Sequence, residues 1–177
     1  MRRPRAGKRT ARDAAVALCT STADETQNIG EALGHLLRQA VLRDRIPAIV
    51  ALDGPLGSGK TCFVQGLARG LGAERAVRSP TFTLIHEHPG DVPLYHVDLY
   101  RLAAADVEGL GLEEVMDFPG VTAIEWPERA ADALPREHLR VELQFGEGAS
   151  ERCLRVMPAG GRYERLVAAL HRCVSSR

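Results

Sequence analysis

The residues with the clearest chemistry are Gly54-Pro55-Leu56-Gly57-Ser58-Gly59-Lys60-Thr61, which satisfy the spacing G-x-x-x-x-G-K-[ST] in full. That spacing suits a nucleoside triphosphate with Mg²⁺. Glycines at 57 and 59 let backbone N–H groups converge on phosphate oxygens with no Cβ in the way. A helix opening at the lysine adds unpaired N–H groups and the positive end of its dipole. Lys60 reaches the β- and γ-phosphates as a point charge, a catalytic as well as a binding role, and Thr61 offers its hydroxyl to Mg²⁺. Leu56, Gly57, Ser58, Gly59, Lys60, Thr61 and Cys62 form the candidate nucleotide-binding set. Cys62 is also read as a small packing residue. Apart from Lys8, Lys60 is the only lysine in the chain. A second carboxylate linked to the metal belongs at the end of a neighbouring strand. Asp98 and Glu125 both qualify, and spacing leaves both open. The sole asparagine, Asn28, precedes the loop, so no N-K-x-D segment follows it. Guanine-specific GTPase chemistry is thereby excluded and ATP is the default nucleotide.

The elements around the loop are the ones it requires. Ala48-Ile49-Val50-Ala51-Leu52 is an apolar run of strand length, reading as a strand buried on both faces. Phe63, Val64, Leu67, Ala68 and Leu71 recur at helical spacing after the loop, with Gly70 and Gly72 as the stop. Before the strand, Thr22 and Glu25 have capping-box spacing and open a helix that carries Ile29, Leu33, Leu36, Leu37 and Ala40 and ends before Pro47. Residues 81–86 and 94–100 read as strands joined by a turn at Pro89-Gly90-Asp91, hence antiparallel. Residues 103–117 read as helix with a break near Gly109-Leu110-Gly111. Strands follow at 121–126, 138–145 and 152–157, and then a short helix from Tyr163 to about Arg172. Strands alternating with helices, one pair of them antiparallel, predict an α/β fold with a mixed sheet.

With 177 residues, of which 45% are hydrophobic, the chain suits one domain with a single core. No run of eighteen apolar residues occurs that would span a membrane. The balance of 23 basic and 23 acidic residues conceals an asymmetry. Residues 1–12 hold Arg2, Arg3, Arg5, Lys8, Arg9 and Arg12 and no acid; without them the body has 17 basic against 23 acidic groups. An acidic body of this kind excludes a broad nucleic-acid surface. Residues 1–18 read as a basic, disordered tail without the apolar stretch of a secretory signal, residues 19–174 as the domain, and 175–177 as its end. Cys19, Cys62, Cys153 and Cys173 have no C-x-x-C spacing, which speaks against zinc and for reduced thiols in a cytoplasmic protein.

Taken in order, GPLGSGKT (54–61), VRSPTFTLIHEH (77–88), LYHVDLYRL (94–102), GLEEV (111–115) and IEWPERA (124–130) strongly resemble the TsaE family, also called YjeE, over about residues 22–156. The resemblance implies a P-loop NTPase-like three-layer fold with antiparallel strands in its sheet. It also implies a bacterial ATPase needed for N6-threonylcarbamoyladenosine (t6A) modification of tRNA, with ATP/ADP and Mg²⁺ as cofactors and the TsaB–TsaD complex as partner. tRNA position 37 is then reached only indirectly. By resemblance Thr61 and Glu125 bind Mg²⁺, Asp98 orients or deprotonates the attacking water, Thr81 belongs to a switch-like segment, and Trp126 matches its family counterpart. Segments 79–88 and 98–111 flank the γ-phosphate and are the expected partner surface. Turnover is expected to be slow without partners, because no arginine, Arg78 and Arg101 included, is assigned to catalysis. The alternative is a small-molecule P-loop kinase, which needs an acceptor pocket and an arginine-bearing lid; the chain spends that length on strands.

Overall fold

The computed structural model describes residues 15–73, 77 and 84–175. Its centre is one seven-stranded sheet. In chain order the elements are β1 (Val16–Thr20), α1 (Ala23–Asp44), β2 (Ala48–Asp53), α2 (Lys60–Leu71), β3 (Ile85–His88), β4 (Leu94–Asp98), α3 (Ala104–Val107), α4 (Leu112–Asp117), β5 (Val121–Glu125), β6 (His138–Phe145), β7 (Arg152–Ala159) and α5 (Gly161–Ser175). Short 3-10 turns occupy Glu108–Leu110 and Pro127–Ala130. The strand order is β1-β7-β6-β2-β5-β4-β3. The block β6-β2-β5-β4 is parallel, while β3 pairs antiparallel with β4, and β7 with β6 and β1. The sheet is therefore mixed, as the 85–98 hairpin requires.

Two apolar clusters, one on each sheet face, make the layers. Leu33, Leu37, Phe63, Leu67, Val141 and Leu170 belong to the cluster under α1, α2 and α5. Ile49, Val97, Leu99, Leu112, Met116 and Ile124 belong to the smaller one under α3 and α4. β2 feeds both, which is why its sequence is apolar throughout: Val50 and Leu52 face the first cluster and Ile49 the second. A strand buried on two faces cannot alternate.

The α1–α2 contact sets the position of the phosphate loop. Thr22 Oγ1 accepts from the Glu25 amide (3.1 Å), and the Glu25 carboxylate accepts from the Ser21 amide (2.7 Å), fixing the start of α1. Further on, Gly30 and Gly34 lie against α2, and Gly66 and Gly70 against α1. A Cβ at Gly66 would stand 1.9 Å from the Gln27 carbonyl oxygen, and one at Gly70 2.2 Å from that of Glu31. Gly70 is thus a packing residue inside α2 and not its stop; Gly72, with φ of 85°, supplies the C-cap.

Several boundaries shift from the sequence reading. The domain begins earlier: Val16–Thr20, placed mostly in the tail, forms edge strand β1 and pairs with β7. Of the strand expected over 81–86, only Ile85 and His86 lie in β3, and residues 81–83 lie outside the described residues. β4 stops at Asp98 because Asp98 and Tyr100 turn the chain, the Tyr100 amide donating to Asp98 Oδ1 (3.1 Å). β5 stops at Glu125, since Trp126 takes a left-handed conformation (φ 62°) ahead of Pro127. β7 runs on to Ala159, and α5 begins two residues before Tyr163 and reaches Ser175. The break expected in 103–117 is real, with Gly111 at φ 63° between the 3-10 turn and α4.

Candidate active site

The parallel block brings three strand ends to one edge. β2 ends at Asp53 and passes directly into the glycine loop, and Lys60 opens α2. Register then sets the acids. Glu125 is opposite Leu52 on one side and opposite Asp98 on the other. Glu125 therefore stands beside the strand that carries the loop and Asp98 one strand further out, both at the carboxyl ends of parallel strands where α/β sheets bind ligands. Leu56, Gly57, Gly59, Lys60, Thr61, Cys62, Asp98, Tyr100, Glu125 and Trp126 line one cavity of about 320 Å³. Ser58, the remaining member of the predicted set, is fully buried beneath the loop. Thr81 lies outside the described residues. Two larger depressions, about 730 Å³ beside α4 and about 710 Å³ between α1 and α5, gather no glycine-rich loop.

The loop carries the features of a phosphate cradle. Gly57 and Gly59 have φ of 79° and 99°, values that only glycine adopts without strain. Among the described residues no side chain caps the start of α2, which leaves its first amides for a ligand. Ser58 Oγ is buried without a partner among the described residues. Lys60 is folded onto its own loop: Nζ donates to the carbonyls of Gly54 (2.7 Å) and Pro55 (3.0 Å) and lies 4.0 Å from the Trp126 ring centroid. Burial lowers the Lys60 pKa, against the opposing pull of Glu125 and Asp98. A phosphate group would reverse that loss by adding negative charge at the ammonium.

Glu125 is the hub. It is 3% exposed, and its Oε1 accepts from Thr61 Oγ1 (2.8 Å) and from His96 Nε2 (2.9 Å). A carboxylate only accepts, so His96 carries its proton on Nε2, while Nδ1 is buried without a partner among the described residues. The imidazole is fully enclosed and holds the Glu125 carboxyl toward Thr61. The donor set around Glu125 and Thr61, a carboxylate and a hydroxyl, is one a hard divalent cation takes. The residues therefore fit a phosphate ligand with Mg²⁺.

Sequence reasoning missed three contributors. His96 lies two residues before Asp98 and so on the same strand face; that alternation was the available signal. Tyr100 packs on Trp126 (ring centroids 5.0 Å apart), walling the cavity on one side. Arg152 reaches the loop from β7, donating to the Gly57 carbonyl (3.3 Å) and covering Phe145 (4.8 Å to the ring). Cys62 turns its thiol away, donating to the Ala23 carbonyl (3.4 Å), and burial raises its pKa. It lines the cavity while its thiol is engaged elsewhere.

With this geometry in place, likeness to known proteins is decisive. The family model for "Threonylcarbamoyl adenosine biosynthesis protein TsaE" matches residues 20–154. The chain belongs to the TsaE family. It is 42% identical over 125 residues to the TsaE protein of Bacillus subtilis, covering 70% of this chain and 78% of that one. It is 41% identical over 128 residues to that of Treponema pallidum, covering 71% and 90%. The crystal structure of YdiB from Bacillus subtilis superposes with a TM-score of 0.75 at 33% identity, covering 89% of this chain and 95% of that one. The TsaE match takes in the glycine loop, His96, Asp98, Glu125 and Trp126, and ends inside β7. Among the described residues no helix is long and apolar enough to cross a membrane.

Proposed function

We propose that this TsaE-family chain is a Mg²⁺-dependent ATPase that supports t6A formation at tRNA position 37 by binding and cycling a TsaB–TsaD pair. The observation that supports it most is the Thr61–Glu125 contact (2.8 Å) with Asp98 as the register neighbour of Glu125, at the mouth of a complete phosphate loop. The amides from Gly57 to Cys62 hold the phosphate chain, and Leu56 borders it. Lys60 exchanges the Gly54 and Pro55 carbonyls for phosphate oxygens, so binding opens a contact that the loop makes with itself. Thr61 and Glu125 hold Mg²⁺, whose contribution is to neutralise phosphate charge. Asp98 orients the attacking water and accepts its proton; phosphate and ADP leave. Thr81 is assigned to the switch-like segment by family resemblance alone.

Partner binding is assigned to segments 79–88 and 98–111. α3 and the Glu108–Leu110 turn lie in the second. The second segment starts at Asp98 itself, so loss of the γ-phosphate is felt there first. The machine that reaches tRNA is the partner pair, in the cytoplasm, and the acidic body of this chain agrees with indirect contact.

The test is phosphate release from ATP and Mg²⁺, with and without TsaB and TsaD, alongside t6A in tRNA measured by mass spectrometry. Slow release alone, binding to the pair, and t6A formation that needs this chain are the expected results. A chain that fails to bind the pair is not its ATPase. Stoichiometric transfer of phosphate to a small acceptor would establish the kinase alternative instead.

A further inference from the structure

Two of the four cysteines meet away from the phosphate site. β1 and β7 run antiparallel, with Cys19 directly opposite Cys153. Directly opposed residues of such a pair hold their Cα atoms roughly 4.5–5.5 Å apart, inside the roughly 4.4–6.8 Å that a disulfide spans. Opposed side chains also share a face, and here the two Sγ atoms are 2.8 Å apart. Both are free thiols, Cys19 exposed and Cys153 half-buried, so a small oxidant reaches them without unfolding. Neither Cys62, turned toward Ala23, nor Cys173, exposed on α5, has a thiol within reach of this kind.

We propose that Cys19 and Cys153 form a reversible oxidation site, closing into a cross-strand disulfide within one chain when the protein meets a peroxide. In the first step the Cys19 thiolate attacks a peroxide oxygen. The O–O bond breaks, Cys19 becomes a sulfenic acid, and the departing hydroxide takes a proton to leave as water. Cys153 sulfur then attacks the Cys19 sulfur; the S–O bond breaks and hydroxide leaves with the Cys153 proton as a second water. Two thiols lose two electrons and the peroxide gains them. Exposure makes Cys19 the first to react, and its contact with Cys153 raises the Cys153 pKa, leaving less thiolate there. A dithiol reverses the reaction by exchange. The site is not remote from the loop: Arg152, the residue before Cys153, is the one that donates to Gly57.

The test uses the reduced full-length chain, hydrogen peroxide, alkylation and peptide mass mapping, with ¹⁴N- and ¹⁵N-labelled protein mixed. The expected product has a mass about 2 Da lower, two hydrogens having been lost, and yields a Cys19–Cys153 peptide of one isotope only, which dithiothreitol removes. The bond would close a loop spanning 134 residues, so the oxidised form melts about 10–20 °C higher. In Cys19→Ser neither the linked peptide nor the melting shift appears. Recovery of Cys19 and Cys153 as separately alkylated or over-oxidised residues, or a link of mixed isotopes, overturns the proposal. None of these readouts depends on ATP hydrolysis.

Discussion

Gly66→Ala is the perturbation whose outcome the geometry fixes most tightly. Helix propensity alone favours it, since alanine in a helix interior is worth about 1 kcal/mol over glycine. Packing opposes it. The new Cβ would stand 1.9 Å from the Gln27 carbonyl oxygen, 2.6 Å from its carbon and 2.8 Å from Gln27 Cα, whereas real Cβ atoms essentially never approach within 3.0 Å. All three atoms are backbone of a helix pinned by its own cap, so no side chain can swing aside. α1 and α2 must separate by about 1.1 Å to restore the first contact alone. Overpacking of that kind costs about 1–3 kcal/mol or more, and its upper range applies when only rigid backbone can move. The net loss is about 2 kcal/mol, or about 4–8 °C in the unfolding midpoint of a domain this size. Since α2 begins at Lys60, the displacement also reaches the loop, and ATP affinity falls with stability. Urea or thermal melts beside nucleotide titration measure both. Gly109→Ala is the control, because nothing lies within 4 Å of a Cβ there. A Gly66→Ala chain that melts at or above the parent temperature refutes the close-packing argument.

Three further outcomes follow from the site. His96→Phe removes the donor to Glu125, worth about 1.5–3 kcal/mol for a hydrogen bond to a charged group; the Mg²⁺ needed for half-maximal turnover should rise about tenfold or more, with His96→Gln recovering part of it. A purely structural His96 would lower the melting temperature and leave the Mg²⁺ requirement alone. Asp98→Asn should abolish phosphate release while ATP binding persists, whereas Glu125→Gln should weaken the Mg²⁺-dependent part of binding; isothermal titration with and without Mg²⁺ separates them, and equal effects on both would contradict the division of roles. His88 has its pKa lowered to about 4, by burial first and then by His86 and His96. The unfolded chain therefore binds a proton that the native one refuses between about pH 6.5 and 4. Stability is full above about pH 6.5 and falls through that window by about 3 kcal/mol in total; His88→Gln should flatten the urea midpoint against pH there.

Much of the fold and site is legible because it is local. The phosphate loop announces itself by spacing, and the Thr22–Glu25 cap and the Gly109–Gly111 break are read within a single turn of chain. The 85–98 hairpin needs only a short turn between two apolar runs. What escapes is set by distant partners. Val16–Thr20 is five residues long and partly exposed, so only pairing with β7 makes it a strand. Gly70 reads as a helix stop because nothing nearby in sequence reveals that α1 presses on it. The choice between Asp98 and Glu125 is a matter of register: β5 lies between β2 and β4, which puts Glu125 beside the loop and Asp98 one strand further out. His96 escapes because its partner is 29 residues away.

The strand order also governs how the chain comes into being. β2, apolar along its whole length, is made early, yet its two neighbours are β5 and β6, which end at Glu125 and Phe145. While the ribosome works through residues 54–120, β2 has no strand to pair with. β1 waits longer still, because its only neighbour among the described strands is β7. The α1–α2 pair can assemble as soon as Leu71 has emerged, and it then shields one face of β2 while both of its edges stay open. Unpaired apolar edges recruit other chains, and non-local pairing of this kind is slow. The strand that carries the phosphate loop is thus the part of the nascent protein most in need of a chaperone's cover, and the later strands β5 and β6 are the ones that relieve it.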